Sequence, residues 1–363
     1  MPPSSVSHYA DNVMTSRLHT ILLLLASAFS LTGCVDVDEY ANSPKGNFEA
    51  LWTIMDQHYC FFPEKEQQLG VNWNDVYRDY SSQANSKMTN SQLFEFLGNM
   101  LGTLKDGHVN LSSSFDFSRS WSWKEDYPAN FSHEVQRQYL GKSSDYRIAS
   151  GMYYKILDDN IGYIYLGTFE DELGSGNIDN ILSYLSVCNG LIIDIRSNGG
   201  GKLSEAKKLA ARFTDRDVLV GYMRHKTGSG HTDLSDWEEI KIESAAGFRW
   251  NDKPVCLLTN RSVYSAANEF VKYMKAISNN NAKQGSRCII TTIGDTTGGG
   301  SGMPYSNELP NGWAVRLSAC PMYDVNKVCT EFGIAPDVAV SMSAESIQQG
   351  IDDIIEAARQ RMR

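Results

Sequence analysis

The chain has 363 residues, 42% hydrophobic and 21% charged, with 29 glycines and 10 prolines, so it holds ample material for a core and is neither disordered, collagenous nor a coiled coil. Thirty-three basic against 43 acidic residues leave a net charge of −10, the wrong sign for neutralising phosphates, and this excludes nucleic acid as a natural partner. At roughly 100–200 residues per domain the length allows about two structural units, one of them small.

In chain order, Arg17 and His19 precede an apolar run, residues 21–29, that ends in Leu31-Thr32-Gly33-Cys34. The run is too short to span a bilayer stably. A short apolar run, small residues and then cysteine resembles the lipobox of bacterial lipoproteins, in which cleavage leaves the cysteine as a lipidated N-terminus. Residues 1–34 are therefore expected to be a signal peptide, with Met14 as an alternative start. Cys34 is expected to hold an exported protein at a membrane surface through acyl chains. Six further cysteines follow, at 60, 188, 256, 288, 320 and 329. An exported compartment permits disulfides among them, but no pairing follows from spacing. Cys188 and Cys256, in or beside apolar runs, read as buried free thiols. No Cys-x-x-Cys and no finger-like histidine spacing occurs, so no metal site is expected.

A polar linker, residues 35–45, leads into an aromatic stretch, 48–80, with apolar residues at mixed helical spacing. Residues 91–104 form a clearer helix, with Leu93, Phe94, Leu97, Met100, Leu101 and Leu104 repeating at three and four. Residues 46–110 thus read as a small helical N-terminal domain, and 111–363 as the core. Residues 112–150 lack periodicity and read as loops with a short hairpin. Strand-like runs follow at 160–168, 191–195, 218–224, 255–259, 288–293 and 314–317, with helical segments at 178–187, 203–213 and 266–277. This alternation predicts an α/β core with a largely parallel sheet.

Four segments can carry chemistry. In the first, residues 259–270, an apolar strand runs through a turn into a helix and places Ser265 at the helix N-cap. A hydroxyl there feels the positive end of the helix dipole, and the first free N–H groups face any oxyanion formed on it; serine is also a favoured capping residue for its own sake. In the second, the strand at 191–195 opens into Gly199-Gly200-Gly201, whose backbone can approach a ligand closely. A phosphate cradle is excluded, because Leu203 follows Lys202 where Ser or Thr is needed and Ser204 replaces the last glycine of a dinucleotide fingerprint; the alternative is a tight strand-to-helix turn. In the third, Lys105-Asp106-Gly107-His108, His108 is the best general-base candidate among the seven histidines, against the ordinary reading of a solvated turn residue. The fourth, 330–337, carries Glu331, either a carboxylate that orients a histidine or an ordinary loop residue.

In this chain order the four segments resemble the tail-specific, or C-terminal-processing, serine proteases, most closely the branch that includes the tricorn protease core, from about Phe48 to the C-terminus. The resemblance implies a crotonase-like (ClpP/crotonase-type) α/β core behind a small helical domain. It also implies Ser265 as nucleophile, the Ala266 N–H with that of Gly199 or Gly200 as oxyanion hole, and no cofactor. Tail-specific proteases proper use a serine/lysine dyad, but residues 294–302, the matching stretch, contain no lysine. The tricorn-like branch implies His108 as base, supported by Glu331. Gly107 stands where tricorn has a relay serine, so Glu331 reaches His108 directly, through water, or not at all.

Many relatives insert a PDZ domain ahead of the core. Only 51 residues separate Leu111 from Tyr163 here, too few for that module, so chain ends are not presented by strand addition on it. The aromatic region around Trp121, Trp123 and Tyr127 is then either a substrate gate or a satellite hydrophobic cluster. The expected function is a lipid-anchored, exported serine peptidase acting on peptides or unfolded chain ends. The competing class is a non-enzymatic binding lipoprotein on the same fold. A Ser–Lys mechanism through Lys202 or another lysine is a variant of the first.

Overall fold

A computed structural model describes residues 40–120 and 122–363. The expected signal peptide with Cys34, most of the linker, and Trp121 lie outside the described residues. Residues 42–363 form one compact unit.

Its N-terminal part is helical: α1 (Pro44–His58), α2 (Phe62–Leu69), α3 (Trp73–Ser81) and α4 (Asn90–Gly102). The starts are written in the sequence. Ser43 accepts from Gly46 N ahead of a proline, Asn72 caps α3, and Thr89 and Gln92 make a reciprocal capping box on α4. On α4 the residues spaced by three and four, Leu93, Phe94, Leu97, Met100 and Leu101, are the buried face.

The central sheet has seven strands in the order β12-β9-β8-β5-β4-β3-β2, where β2 is Arg147–Ala149, β3 Met152–Ile156, β4 Gly162–Leu166, β5 Leu191–Asp194, β8 Val255–Thr259, β9 Ile290–Gly294 and β12 Val338–Ala339. From β4 to β12 the pairings are parallel; β2 and β3 form an antiparallel hairpin on its edge. Alternate side chains serve two cores. Leu191, Ile193, Val255 and Leu257 face helices α6 (Ser175–Leu185), α7 (Leu203–Ala210) and α8 (Ala266–Lys283), while Tyr163, Ile192, Cys256 and Leu258 face α5 (His133–Leu140) and α10 (Asp353–Met362). Burial on both faces is why these strands read as unbroken apolar runs. A short α9 (Ala344–Gln348) precedes α10.

Two expected members of the parallel sheet lie elsewhere. Residues 218–224 and 314–317 belong to β6 (Val218–Met223) and β11 (Ala314–Tyr323), which pair antiparallel in a second sheet with order β1-β11-β6-β7, β10 also pairing with β11. There β1 is Asn110–Ser112, β7 Glu238–Ile242 and β10 Gly302–Glu308. Strand direction is decided by long-range pairing, which an apolar run does not encode. β1 spans residues 110 and 111, where the sequence separates helical part from core, and joins the two by pairing with β11. Of the β2–β3 hairpin, residues 112–150 hold only the first strand, and they also contain the helix α5, whose eight residues bury only Val135, Gln136 and Leu140. That is too little periodicity to read from sequence. All six described cysteines are unpaired, and Cys188 and Cys256 are buried.

The topology brings three loops together. β5 and β8 are adjacent and parallel, so the glycine turn after β5 and the turn before α8 leave the sheet side by side at its carboxyl edge. The α4–β1 connection, carrying Asp106 to His108, is brought in by the pairing of β1 with β11.

Candidate active site

After β8 the chain turns through residues 260–264. Asn260 fastens this turn to its neighbours, accepting from Ser197 N (3.0 Å) and donating to Ala129 O (2.8 Å), and Tyr264 N donates to Asn198 O at 3.1 Å. Ser265 follows with φ 55° and ψ −126°, a conformation a non-glycine residue adopts only under constraint. It occupies the N-cap position of α8, yet its side chain makes no capping bond. Its Oγ lies 3.0 Å from His108 Nε2 instead, and the residue is half-exposed. Among the described residues the Ala266 N–H at the start of α8 has no acceptor.

The glycine turn packs against this serine. Gly200 has φ +106°, and a Cβ there would stand 2.8 Å from Ser265 Cβ and 2.9 Å from Ala266 N. The same Cβ would stand 2.7 Å from the Tyr264 carbonyl oxygen, so only glycine lets the two turns pack this closely. The Gly200 N–H is engaged by Asn198 Oδ1 at 2.9 Å. Gly199 is exposed, has open space beside it, and its N–H has no acceptor among the described residues.

His108 is 3% exposed and is seated by Asp106, which accepts its backbone N–H at 2.8 Å in an Asx turn. Asp106, wholly buried, also accepts from Tyr264 OH (3.1 Å), Tyr59 OH (3.0 Å) and Ser318 OH (2.9 Å), linking turn, helical part and β11. The His108 and Tyr264 rings are 5.1 Å apart. Tyr264 also explains the missing relay serine: a Cβ at Gly107 would come within 3.0 Å of the Tyr264 ring and hydroxyl. His108 Nδ1 is buried with no partner among the described residues. If Nε2 accepts the Ser265 proton, the neutral ring carries its own proton on Nδ1.

Glu331 does not touch His108 in this arrangement. Its Oε1 receives Lys65 Nζ at 2.9 Å and its Oε2 the Ser301 N–H at 3.1 Å, all buried. Burial first, then the negative charge of Asp106, raise Glu331 to about 7 against the pull of Lys65. Asp106 ends below the usual carboxylate range: burial pushes it up, but Lys65, His108 and its hydrogen bonds outweigh that. His108 is lowered to about 4, chiefly by burial; Asp106 opposes the shift, while Arg316, Lys124 and Lys65 add to it. Its imidazole is therefore neutral, and able to accept a proton, throughout the physiological range.

Lys65, and the four donors gathered on Asp106, were not foreseen; the Asp-Gly pair hints at the Asx turn, but nothing local marks Lys65. The Lys202 side chain is exposed, its Nζ 3.8 Å from Glu172 Oε1. The lysine at the site is Lys124, in the 3₁₀ turn Ser122–Asp126, with Nζ 3.9 Å above the Tyr264 ring; burial lowers it to about 8. Trp123 and Tyr127 meet edge to face at 6.2 Å.

Residues 160–340 match the model of peptidase family S41, and residues 40–102 that of the tricorn protease C1 domain. A crystal structure from Parabacteroides merdae ATCC 43184, provisionally named a peptidase, is 48% identical, with a TM-score of 0.81 over 89% of this chain and 97% of that one. The carboxy-terminal processing protease CtpA of Bacillus subtilis (strain 168) is 27% identical over 168 residues, 46% of this chain. The chain spans a third or less of the length of the curated relatives it matches. Mature CPAF complexed with lactacystin shares the fold, with a TM-score of 0.64 at 13% identity over 88% of this chain and 97% of that one.

Proposed function

The chain belongs to peptidase family S41, a serine peptidase family, and on that footing we propose that it hydrolyses peptide bonds in peptides or unfolded chain ends, with Ser265 as nucleophile and His108 as general base. The observation that carries the reading is the Ser265 hydroxyl, withdrawn from helix capping and held 3.0 Å from His108 Nε2. His108 takes the Ser265 proton as Oγ attacks the carbonyl carbon, and returns it to the leaving amine when the tetrahedral intermediate collapses. The oxyanion is received by the free N–H groups of Ala266 and Gly199, at the start of α8 where the helix dipole adds to them. Gly200 lets the glycine turn pack against Ser265 and, its N–H engaged by Asn198, does not donate to the hole. In this reading the carboxylate serving His108 is Asp106, through its charge and its grip on the backbone, and Glu331 acts at one remove, in the Lys65 pair beside it.

The same reading takes the protein to be exported and anchored through Cys34, on the strength of residues 17–34. The test is intact-mass labelling of soluble protein, lacking residues 1–34, with a fluorophosphonate. One adduct, lost in Ser265→Ala and in His108→Ala, is expected, together with a fall of about 10⁴-fold or more in peptide hydrolysis by Ser265→Ala. No adduct on folded protein would overturn the assignment and turn attention to a binding role.

A further inference from the structure

His108 can act as a base only if its neutral ring keeps its proton on Nδ1, because Nε2 must be free to accept from Ser265. Nδ1–H then needs an acceptor, for the atom is buried and without a partner among the described residues. The two buried carboxylates of the site are occupied. Asp106 already takes four donors, two on each oxygen: the His108 N–H and Tyr264 OH on Oδ1, Tyr59 OH and Ser318 OH on Oδ2. That fills the sites a carboxylate has to offer. Glu331 is held by Lys65 on one oxygen and by the Ser301 N–H on the other.

One acceptor beside the His108 turn is free. Asn110, 2% exposed, has its backbone fixed by the register of β1 on β11, opposite Arg316. Its side chain turns back to the loop it follows, Nδ2 donating to Gly107 O at 2.7 Å. That carbonyl belongs to the peptide group whose nitrogen is His108's own, so the amide sits beside the backbone from which the ring springs. The contact also settles which end of the amide is which, because a carbonyl needs the NH₂. The other end, Oδ1, is buried and has no donor among the described residues. A buried donor and a buried acceptor, two residues apart and both unpaired, each carry a desolvation cost that a bond between them removes.

We propose that Asn110 is a positioning residue for His108, its Oδ1 accepting the Nδ1–H and so holding the imidazole in the tautomer that leaves Nε2 free for the Ser265 proton. The proposal rests on the peptidase reading of the site. A small turn about the soft terminal torsion of the asparagine closes the contact. When His108 becomes imidazolium, the amide oxygen keeps its bond to Nδ1 and brings no charge of its own. The charges that face the ring are those of Asp106, Arg316, Lys124 and Lys65, and Asn110 leaves their balance unaltered.

The test is nitrogen-15 NMR of histidine-labelled soluble protein near neutral pH, where His108 is uncharged; it reports the tautomer without turnover, and the spectrum of His108→Ala assigns the signals. Wild type should carry the His108 proton on Nδ1. Asn110→Ala should shift the ring towards the Nε2–H form and lower kcat by about 10²-fold, the lower end of what a general base contributes, with KM little changed. Asn110→Asp keeps the oxygen and gives up the donor to Gly107, so it should restore the Nδ1–H form and about tenfold of the lost kcat. A wild-type His108 protonated on Nε2 overturns the proposal, and that result needs no variant to fold. A tautomer indifferent to Asn110→Ala overturns it too, as does an Asn110→Asp as slow as Asn110→Ala, which would place the residue's role in its bond to Gly107. Fluorophosphonate labelling of the wild type judges the peptidase reading separately, so a labelled protein whose tautomer ignores Asn110 sinks the asparagine's role alone.

Discussion

Lys65 and Glu331, 266 residues apart in sequence, meet at 2.9 Å in a contact closed to water, their side chains 1% and 2% exposed. The pair joins α2 to the loop after β11 and sits beside Asp106, so it sets the charge balance under His108 as well as holding the helical part to the core.

Removing one partner of such a pair leaves an uncompensated buried charge, and Lys65→Met should cost about 3–5 kcal/mol in urea denaturation. The defect should depend on pH. Glu331 titrates near 7 when folded against 4.5 ordinarily, and loss of Lys65 raises it further. The folded state then holds a proton that the unfolded state has released, so its stability falls as pH rises from about 5 to 8. Lys65→Met should therefore be more damaging at pH 8 than at pH 6, and Lys65→Met with Glu331→Gln should recover part of the loss. A pH-independent defect would show that Glu331 does not take up the proton.

Gly200→Ala and Gly199→Ala should behave differently although the residues are neighbours. At Gly200 the new methyl stands 2.9 Å from Ala266 N, at a backbone φ of +106°, whereas at Gly199 it meets nothing within 4 Å. The methyl also meets the Tyr264 carbonyl at 2.7 Å, so the turn beside Ser265 must shift; Gly200→Ala should lower kcat by about 10²–10³-fold, the size of losing one oxyanion donor, and should also melt lower than wild type. Gly199→Ala, which keeps its N–H, should stay within a few-fold of wild type. Steady-state kinetics on one peptide decides it.

The acid limb of kcat/KM should fall near pH 4 rather than at the ordinary histidine value, because protonation of a buried His108 removes the base. Lys124 and Lys65 disfavour the imidazolium by like charge, whereas Asp106 favours it. Lys124→Met should consequently move the limb upwards in pH, towards 6.5. A limb that stays in place, or moves down, would show that Lys124 exerts no field on His108.

The strained backbone at Ser265 has a stability signature. At φ 55° a Cβ is unfavourable for any residue but glycine. Ser265→Gly should be more stable than Ser265→Ala by about 1 kcal/mol in thermal or urea melts, although both lack the Ser265 hydroxyl. Equal stability would place the strain elsewhere.

Local chemistry carried much of this protein on its surface. Capping residues and three-four spacing marked α4, unbroken apolar runs marked β5 and β8, and the strand-turn-helix around Ser265 and the glycines after β5 stood out because such turns need particular residues. Those features depend on neighbours in sequence, so the sequence by itself determined them. What only the tertiary structure decided depends on partners far along the chain. β6 and β11 run antiparallel in a second sheet because of what they pair with, not because of their composition. Glu331 meets Lys65 instead of His108 because α2 inserts a lysine beside the β11 loop, and Gly107 is glycine because the Tyr264 ring lies against it. Ser265 abandons its own helix for His108 because β5, β8 and β1 bring three loops to one place. A pattern in sequence names groups able to react; the distance between them, and the burial that tunes their protonation, arise only when the chain folds back on itself.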